Sequence, residues 1–590
     1  MRILFDSKNP IFKTPFGTLT PRQECTLHLH IPLSVQASKV FCIISHQDGA
    51  LYRETAMVCT QSDGDYAVFT GIFSLDTPGL YFYYFHITGA TGAFRLFKQG
   101  DMTNMEAGDL WQVSCIPEDF TTPDWAKGGV IYQVFPDRFC AAGTCDLQDK
   151  LTPFVLHKHW DDAVIAPDEA KNTLNNDFYG GNFLGITEKM DYFADLGVTI
   201  LYLNPICKSF SNHRYDTGDY KTPDPMLGTE EDFSKLCQAA HSRGIRVILD
   251  GVFSHTGSNS LYFNKNGSFP GVGAYQSPDS PYYAWYSFTE YPDKYESWWG
   301  FDTLPQVNKL APDFIDYIIT GKDSVIAHWL KLGADGFRLD VADELPDEFL
   351  RILKTHLRTL RPDGLVMGEV WEDASNKIAY GVRRRYFIDG TLDSVMNYPF
   401  RTAILDFVKM LDDGIKFRDT VVTIAENYPP QVLLCTMNLL GSHDTPRILT
   451  ALAEDTGLAL QRLEIAAFLQ YMLPGNPSIY YGDEAQMAGH KDPFNRRTYP
   501  WGKENKALID YYRQLGALRK AHPVLNLGDI RFFCAQGHRL CFTRTHLGVT
   551  FRIYVNLSDT LWQLPKGKAL FARNLTETAL SPMGFCLIKE

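Results

Sequence analysis

An α/β fold built on a (β/α)8 TIM barrel is the architecture this sequence predicts, with an excursion inserted after the third strand and flanked by an N-terminal β-sandwich and a C-terminal β-domain. Three features carry that expectation. Eight short apolar runs alternate with helix-length segments from Val130 to about residue 485. Strand-like runs without intervening helices precede and follow them. One interval, about 254–320, is too long for an ordinary connection and rich in Tyr, Trp, Pro and Gly.

Taken in order, residues 1–120 hold alternating or aromatic runs such as Thr26 to Ile31, Val40 to Ile44 and Leu80 to Ile87, separated by Gly, Asp, Ser and Pro. The aromatic run Leu80 to Ile87 reads more simply as a strand packed on both faces than as a sugar-stacking surface. A Pro-bounded linker, Pro117 to Pro123, leads into the barrel, residues 123–523. Its strands are expected at Val130 to Phe135, Val198 to Leu203, Ile245 to Leu249, Ala334 to Leu339, Leu365 to Val370, Leu392 to Met396, Met437 to Leu440 and Ser478 to Tyr481. Runs at Ile530 to Cys534, Leu540 to Thr545, Val549 to Asn556 and Phe585 to Ile588 give a second β-domain over 524–590.

At 590 residues, with 45% hydrophobic and 21% charged residues, the chain should fold into several domains. Its 56 Lys and Arg against 69 Asp and Glu leave a net charge of −13, which argues against a nucleic-acid partner. No apolar stretch has the length of a signal-peptide core at the N-terminus or of a membrane span elsewhere, so no membrane association and a cytoplasmic location are expected. Twelve scattered cysteines without paired CxxC spacing point to reduced thiols, and to neither a zinc site nor a disulfide framework.

Polar clusters follow four of the strand runs directly, where a barrel opens onto its active face: Asp250 to His255, Gly336 to Glu344, Gly368 to Trp371 and Gly441 to Asp444. Any one of these could be a strand-capping ion pair or a core histidine; four at one mouth point to chemistry. Cleaving an acetal needs a carboxylic acid to protonate the leaving oxygen, and a carboxylate either to attack the anomeric carbon or to activate water. Neighbouring strands lie about 4.8 Å apart, so groups at the ends of the fourth and fifth can meet the spacing of a retaining pair, about 5–5.5 Å. Asp340 and Glu369 are that pair. Arg338, two residues before Asp340 on the same strand face, would hold it ionised, and Asp444 is a third carboxylate that would grip sugar hydroxyls.

The segments DGVFSH, GFRLDVADE, GEVW and LLGSHD, in that order, resemble the four sequence blocks of the α-amylase family of glycoside hydrolases. Within it the chain is most similar to the neopullulanase, cyclomaltodextrinase and amylopullulanase group, through Tyr132 to Phe139, Ser211 to Thr217, Trp371 to Asn376, Met396 to Pro399, Ile479 to Glu484 and Lys491 to Arg497. The resemblance implies a retaining hydrolase of α-1,4-glucosidic bonds, with some α-1,6 cleavage, acting on maltodextrin, starch or pullulan. Asp340 would be the nucleophile, Glu369 the general acid/base and Asp444 the transition-state stabiliser. His213, Tyr215, His255, Arg338 and His443 match residues lining the subsite where the bond breaks, and Asp492 with Arg496 or Arg497 matches a contact to the non-reducing end. An N-terminal sandwich in that group is a starch-binding-like module and often a homodimer contact. The rivals are an α-glucan transglycosylase of the same family and a non-catalytic barrel relative acting as a binding module; intact Asp340, Glu369 and Asp444 argue against the latter.

Two departures from the group stand out. Ser254 precedes His255 where many relatives have Asn, which predicts a changed hydrogen bond. Relatives often bind calcium through Asn and Asp after the PDRF segment and a later GGD, whereas this chain reads Cys140-Ala-Ala-Gly-Thr-Cys-Asp146 and Gly180-Gly181-Asn182. No cofactor is expected, calcium included, because a hard cation needs six or more oxygens; Asp146, Asp177 and Asn182 are what remains to rebuild a weaker site. In the excursion, Trp298 and Trp299 are expected either to stack a sugar or to anchor their loop.

Overall fold

The computed structural model describes residues 2–168, 174–453, 457–565 and 567–590. They fall into two compact units. One comprises 1–121 with two later stretches, 372–393 and 415–433; the other comprises 122–371, 394–414 and 434–590.

In the first unit nine antiparallel strands, from Lys13–Thr14 to Trp111–Cys115, close over one apolar core. Alternation dictates its make-up: Leu27, Leu29 and Ile31 of one strand and Val40, Cys42 and Ile44 of another all point into it. In the aromatic strand Gly79–Gly89, Tyr81, Tyr83, Phe85 and Ile87 are buried, and Phe82, Tyr84 and His86 on its other face are half-buried. Residues 415–433 join this unit through a buried ion pair, Lys13 Nζ to Glu426 Oε1 at 3.1 Å, and 372–393 through Gln112 Nε2, which donates to Ser375 Oγ at 2.9 Å. Ser7 Oγ donates to the other Glu426 oxygen at 3.1 Å.

The second unit is built around eight parallel strands: β1 (Ile131–Val134), β2 (Ile200–Leu203), β3 (Arg246–Gly251), β4 (Gly336–Leu339), β5 (Leu365–Gly368), β6 (Ser394–Val395), β7 (Met437–Leu439) and β8 (Asn476–Tyr480). They pair in the order β6-β5-β4-β3-β2-β1-β8-β7, and a parallel bridge between Met396 and Met437 closes the ring. The runs are mostly apolar because both strand faces are buried, against the barrel interior on one side and helices on the other. Asp347–Leu360 is such a helix, burying Phe349, Leu350, Leu353 and Leu357 on one stripe. The eight expected strands are therefore the eight observed.

The excursion after β3 folds on its own aromatic core of Tyr262, Phe263, Trp285 and Tyr286, and its last stretch returns to the barrel mouth. There Val307 N donates to Ser254 O at 3.1 Å and Gln306 bridges to His255. Strands from Asp529–Gln536 to Ala579–Lys589 form a six-stranded antiparallel sheet, seated on the barrel by Phe585 stacked on Phe468 at 4.4 Å. All twelve cysteines are free thiols, and no helix among the described residues is long and apolar enough to cross a membrane.

The Lys13–Glu426 pair generates a stability test. Glu426→Leu strands a buried ammonium, which should cost about 3–5 kcal/mol. Calorimetry should show a lowered unfolding midpoint, and Lys13→Met in the same chain should recover part of the loss; an unchanged midpoint in the single variant would refute the role given to the pair.

Candidate active site

Strand register assembles the site. Parallel pairing sets Asp250 of β3 opposite Arg338 of β4, so both side chains enter the same mouth at one level, with Asp340 just beyond the end of β4 and Glu369 just beyond the end of β5. Arg338 is fully buried and its guanidinium reaches three carboxylates: Asp250 Oδ1 at 2.7 Å, Asp340 Oδ1 at 2.9 Å and Glu369 Oε2 at 2.9 Å. Asp250 spends its second oxygen on the hydroxyls of Tyr202, at 2.7 Å, and Tyr215, at 2.8 Å.

Glu369 is held at both oxygens by donors besides Arg338. The backbone N–H of Val341 donates to Oε2 at 2.8 Å and the indole of Trp371 to Oε1 at 3.1 Å. Val341 adopts φ 40, ψ 55, a left-handed conformation that a β-branched residue seldom holds and that costs about 1–3 kcal/mol. Turning its N–H onto a buried carboxylate is what that strain accomplishes. Trp371 is itself stacked on Tyr398 at 4.0 Å.

A second chain of contacts runs from β1 to Asp444. His443 Nδ1 faces two amide donors, Gln133 Nε2 at 2.9 Å and Asn204 Nδ2 at 3.2 Å, so it accepts and the ring proton sits on Nε2. That nitrogen lies 2.6 Å from the Tyr215 hydroxyl and 3.1 Å from Asp444 Oδ2. Burial, with Arg496 and Arg338 adding to it, holds His443 far below its ordinary range, so the ring is neutral. Arg496 donates to the His443 carbonyl at 3.1 Å, pairs with Asp492 at 3.1 Å and lies 3.8 Å from Asp444. His213, kept neutral by burial and then by Arg496, accepts the Tyr215 backbone N–H at 3.1 Å. His255 donates to the Tyr215 carbonyl at 3.1 Å, and its other nitrogen is 2.8 Å from Ser254 Oγ; burial pushes it down to about 3. Ser254 thus supplies a hydroxyl partner to His255.

The ten residues singled out from the sequence, Asp340, Glu369, Asp444, His213, Tyr215, His255, Arg338, His443, Asp492 and Arg496, are linked in one contiguous set of contacts. Burial raises the Asp340 pKa well above the carboxylate range, opposed by Arg338 and reinforced by Glu369, Asp250 and Asp444. Asp444 is raised by burial too, against Arg496 and Arg338. Sequence reasoning placed Asp250 at the mouth without giving it a role, and missed Gln133 and Asn204 as site members. The signal was available for Gln133 and Asn204, polar residues within or at the end of runs otherwise apolar on both faces.

In the first barrel loop Asn182, Asp177 and one oxygen of Asp146 are hydrogen-bonded within the chain. Asn182 Oδ1 accepts the Gly185 N–H at 2.8 Å and its amide donates to Ala142 O at 2.7 Å. Asp177 accepts from Asn212 at 2.9 Å and lies 3.1 Å from His157 Nε2. Asp146 Oδ1 takes the Gln148 N–H at 3.0 Å. Such a donor set does not fit a cation needing six free oxygens.

A closed parallel barrel with a buried carboxylate centre at the C-terminal ends of its strands is the frame of a catalytic-domain protein of the barrel class. A family model described as the α-amylase catalytic domain matches residues 133–518. The chain belongs to the α-amylase family. It is 36% identical over 604 residues to the amylopullulanase of Thermoanaerobacter thermohydrosulfuricus, an alignment taking in 91% of this chain and 40% of that protein. Neopullulanase 2 of Thermoactinomyces vulgaris is 32% identical over 505 residues, covering 82% of this chain and 80% of that one. Among solved structures, the type III pullulan hydrolase from Thermococcus kodakarensis matches with a TM-score of 0.69 and 27% identity over 100% of both chains. The chain spans less than half the length of the amylopullulanases it matches.

Removing the guanidinium tests the electrostatics. Arg338→Met removes the cation that opposes the upward shift of buried Asp340 and so raises its folded-state proton affinity further; the native state then binds more protons than the unfolded state and stability falls more steeply as pH rises. The variant should unfold at a lower temperature than the parent at pH 7, with the gap narrowing as pH falls toward the ordinary carboxylate range. A gap independent of pH would contradict this account.

Proposed function

We propose that this chain is a retaining α-glucan hydrolase that cleaves α-1,4-glucosidic bonds, and α-1,6 bonds to a lesser extent, in maltodextrins, starch or pullulan. The single observation that carries the proposal is the pairing of Asp340 and Glu369 on adjacent barrel strands across one guanidinium. Direct attack at the anomeric carbon requires two carboxyl groups drawn close on either side of the bond, and Arg338 draws these two together.

In this mechanism Glu369 protonates the leaving oxygen while Asp340 attacks the anomeric carbon and forms a covalent glycosyl-enzyme. Glu369, now a carboxylate, takes a proton from a water whose oxygen attacks the anomeric carbon; the bond to Asp340 breaks, Asp340 leaves as a carboxylate and the sugar departs with its original anomeric configuration. Burial and mutual repulsion make it costly for the cluster to carry all its negative charge, which favours a proton retained among its carboxyls for the leaving group. Asp444 and the neutral His443 would hold sugar hydroxyls and balance positive charge developing at the ring, and Arg496 with Asp492 would bound the non-reducing end. His213, Tyr215 and His255 would line the same subsite. The free thiols agree with a cytoplasmic location.

Asp340→Asn and Glu369→Gln should each lower kcat on maltotriose by several orders of magnitude while leaving the unfolding midpoint close to that of the parent. NMR of the first product from the unmodified chain should show the α-anomer; an initial β-anomer would mean that water, not Asp340, attacks. Near-parental turnover in either variant would remove the assignment.

We further propose that no calcium ion holds the first barrel loop. Prolonged EDTA treatment should leave activity and Tm essentially unchanged, since a group that does not bind adds no linked stability. A Tm that drops by several degrees in EDTA and returns with calcium would overturn this, and Asp177→Ala would then report whether that loop supplies the ligands.

A further inference from the structure

Free thiols are spread through the chain, and strand register brings two of them together. Among the strand pairings of the described residues, one sets cysteine opposite cysteine: Cys534 of the strand Asp529–Gln536 and Cys541 of the strand Arg539–His546, the two arms of one hairpin. Directly opposed residues of an antiparallel pair point to the same face with Cα atoms about 4.5–5.5 Å apart, inside the range of about 4.4–6.8 Å that a disulfide spans. Their surroundings agree. Cys541 is buried in a small core with Tyr554, Leu580 and Cys586, and half-buried Cys534 packs against that same core.

Register also excludes the third thiol. Tyr554 lies opposite both Cys541 and Cys586, so a whole strand stands between those two and their backbones are about 9.6 Å apart. A gap beyond about 7 Å cannot be bridged without moving the backbone. Beside Cys534 the ladder is interrupted by a bulge whose extra residue, Phe533, is exposed, and a disrupted ladder lets the backbone adjust to a new bond. The Arg552 guanidinium sits over the Phe533 ring at 4.9 Å and opposes the burial that pushes the Cys541 thiol up to about 11. Cys534 is thus the sulfur a dissolved oxidant meets first, and Cys541 the one that follows.

We propose that Cys534 and Cys541 are a reversible dithiol–disulfide site, oxidised by a small-molecule disulfide of the glutathione type. The Cys534 thiolate attacks one sulfur of the oxidant and displaces a glutathione thiolate, leaving a mixed disulfide. Cys541 then gives its proton to water and attacks the Cys534 sulfur, and the second glutathione leaves as a thiolate. Two protein thiols are oxidised while one glutathione disulfide is reduced to two thiols. The tip of this hairpin accepts the Gly414 N–H on the Gly537 carbonyl at 2.6 Å, so the bridge fastens an element that the chain leans on and involves no group of the barrel mouth.

The full chain, incubated with glutathione disulfide, quenched by alkylation and cut with trypsin, tests this by mass spectrometry. Cleavage after Arg539 separates the two cysteines, so a bridge should join two peptides and lower their summed mass by two hydrogens, and dithiothreitol should part them. Cys541→Ser should stop at a mixed disulfide on Cys534, whereas Cys586→Ser should bridge like the parent. Exposed Cys59, with Phe69 opposite, should take up glutathione and keep it, which reports that the oxidant is active. Cys534 and Cys541 both recovered as alkylated thiols while Cys59 carries glutathione, a parent that stops at the mixed disulfide, or a bridge from Cys541 to Cys586 would each overturn the site.

Discussion

One guanidinium sets the terms for the whole barrel mouth. Three carboxylates, Asp250, Asp340 and Glu369, converge on the buried Arg338, and without it their mutual repulsion and loss of hydration would forbid the arrangement. The oxygens Arg338 does not bind need other donors, and the surrounding structure supplies them: two tyrosine hydroxyls for Asp250, and a backbone N–H and an indole for Glu369. Left-handed Val341 is part of that supply, so local backbone strain and the position of an acid are one feature.

Histidines around this centre are uncharged for the same reason that it needs Arg338. Burial makes an imidazolium expensive, and Arg338 and Arg496 already provide the positive charge. Neutral rings with assigned tautomers can donate from one nitrogen and accept at the other, so the Gln133–His443–Tyr215–Asp250 chain is directional and rigid. Rigidity of this kind lets hydroxyl donors and acceptors meet a sugar without reorganising.

The departures from relatives acquire physical content in the same terms. Ser254 meets His255 with a hydroxyl, and the first barrel loop satisfies its polar atoms internally through Asn182, Asp177 and Asp146.

Strand positions, the order of the polar clusters and the pairing of Asp340 with Glu369 were all legible in the sequence, because each is encoded locally: an apolar run of strand length, followed at once by the residues that end up at its mouth. Gln133 and Asn204 were not recognised, since a polar residue in an apolar run declares that it has a partner without saying which. The attachment of 415–433 to the N-terminal unit was equally invisible, as the buried Lys13–Glu426 pair joins residues more than four hundred positions apart. That Trp298 and Trp299 both donate to Glu344, more than forty positions away, was equally hidden. Periodicity records which face of an element is buried. Only three-dimensional packing decides what it is buried against, because contacts between distant segments depend on the path of the whole chain.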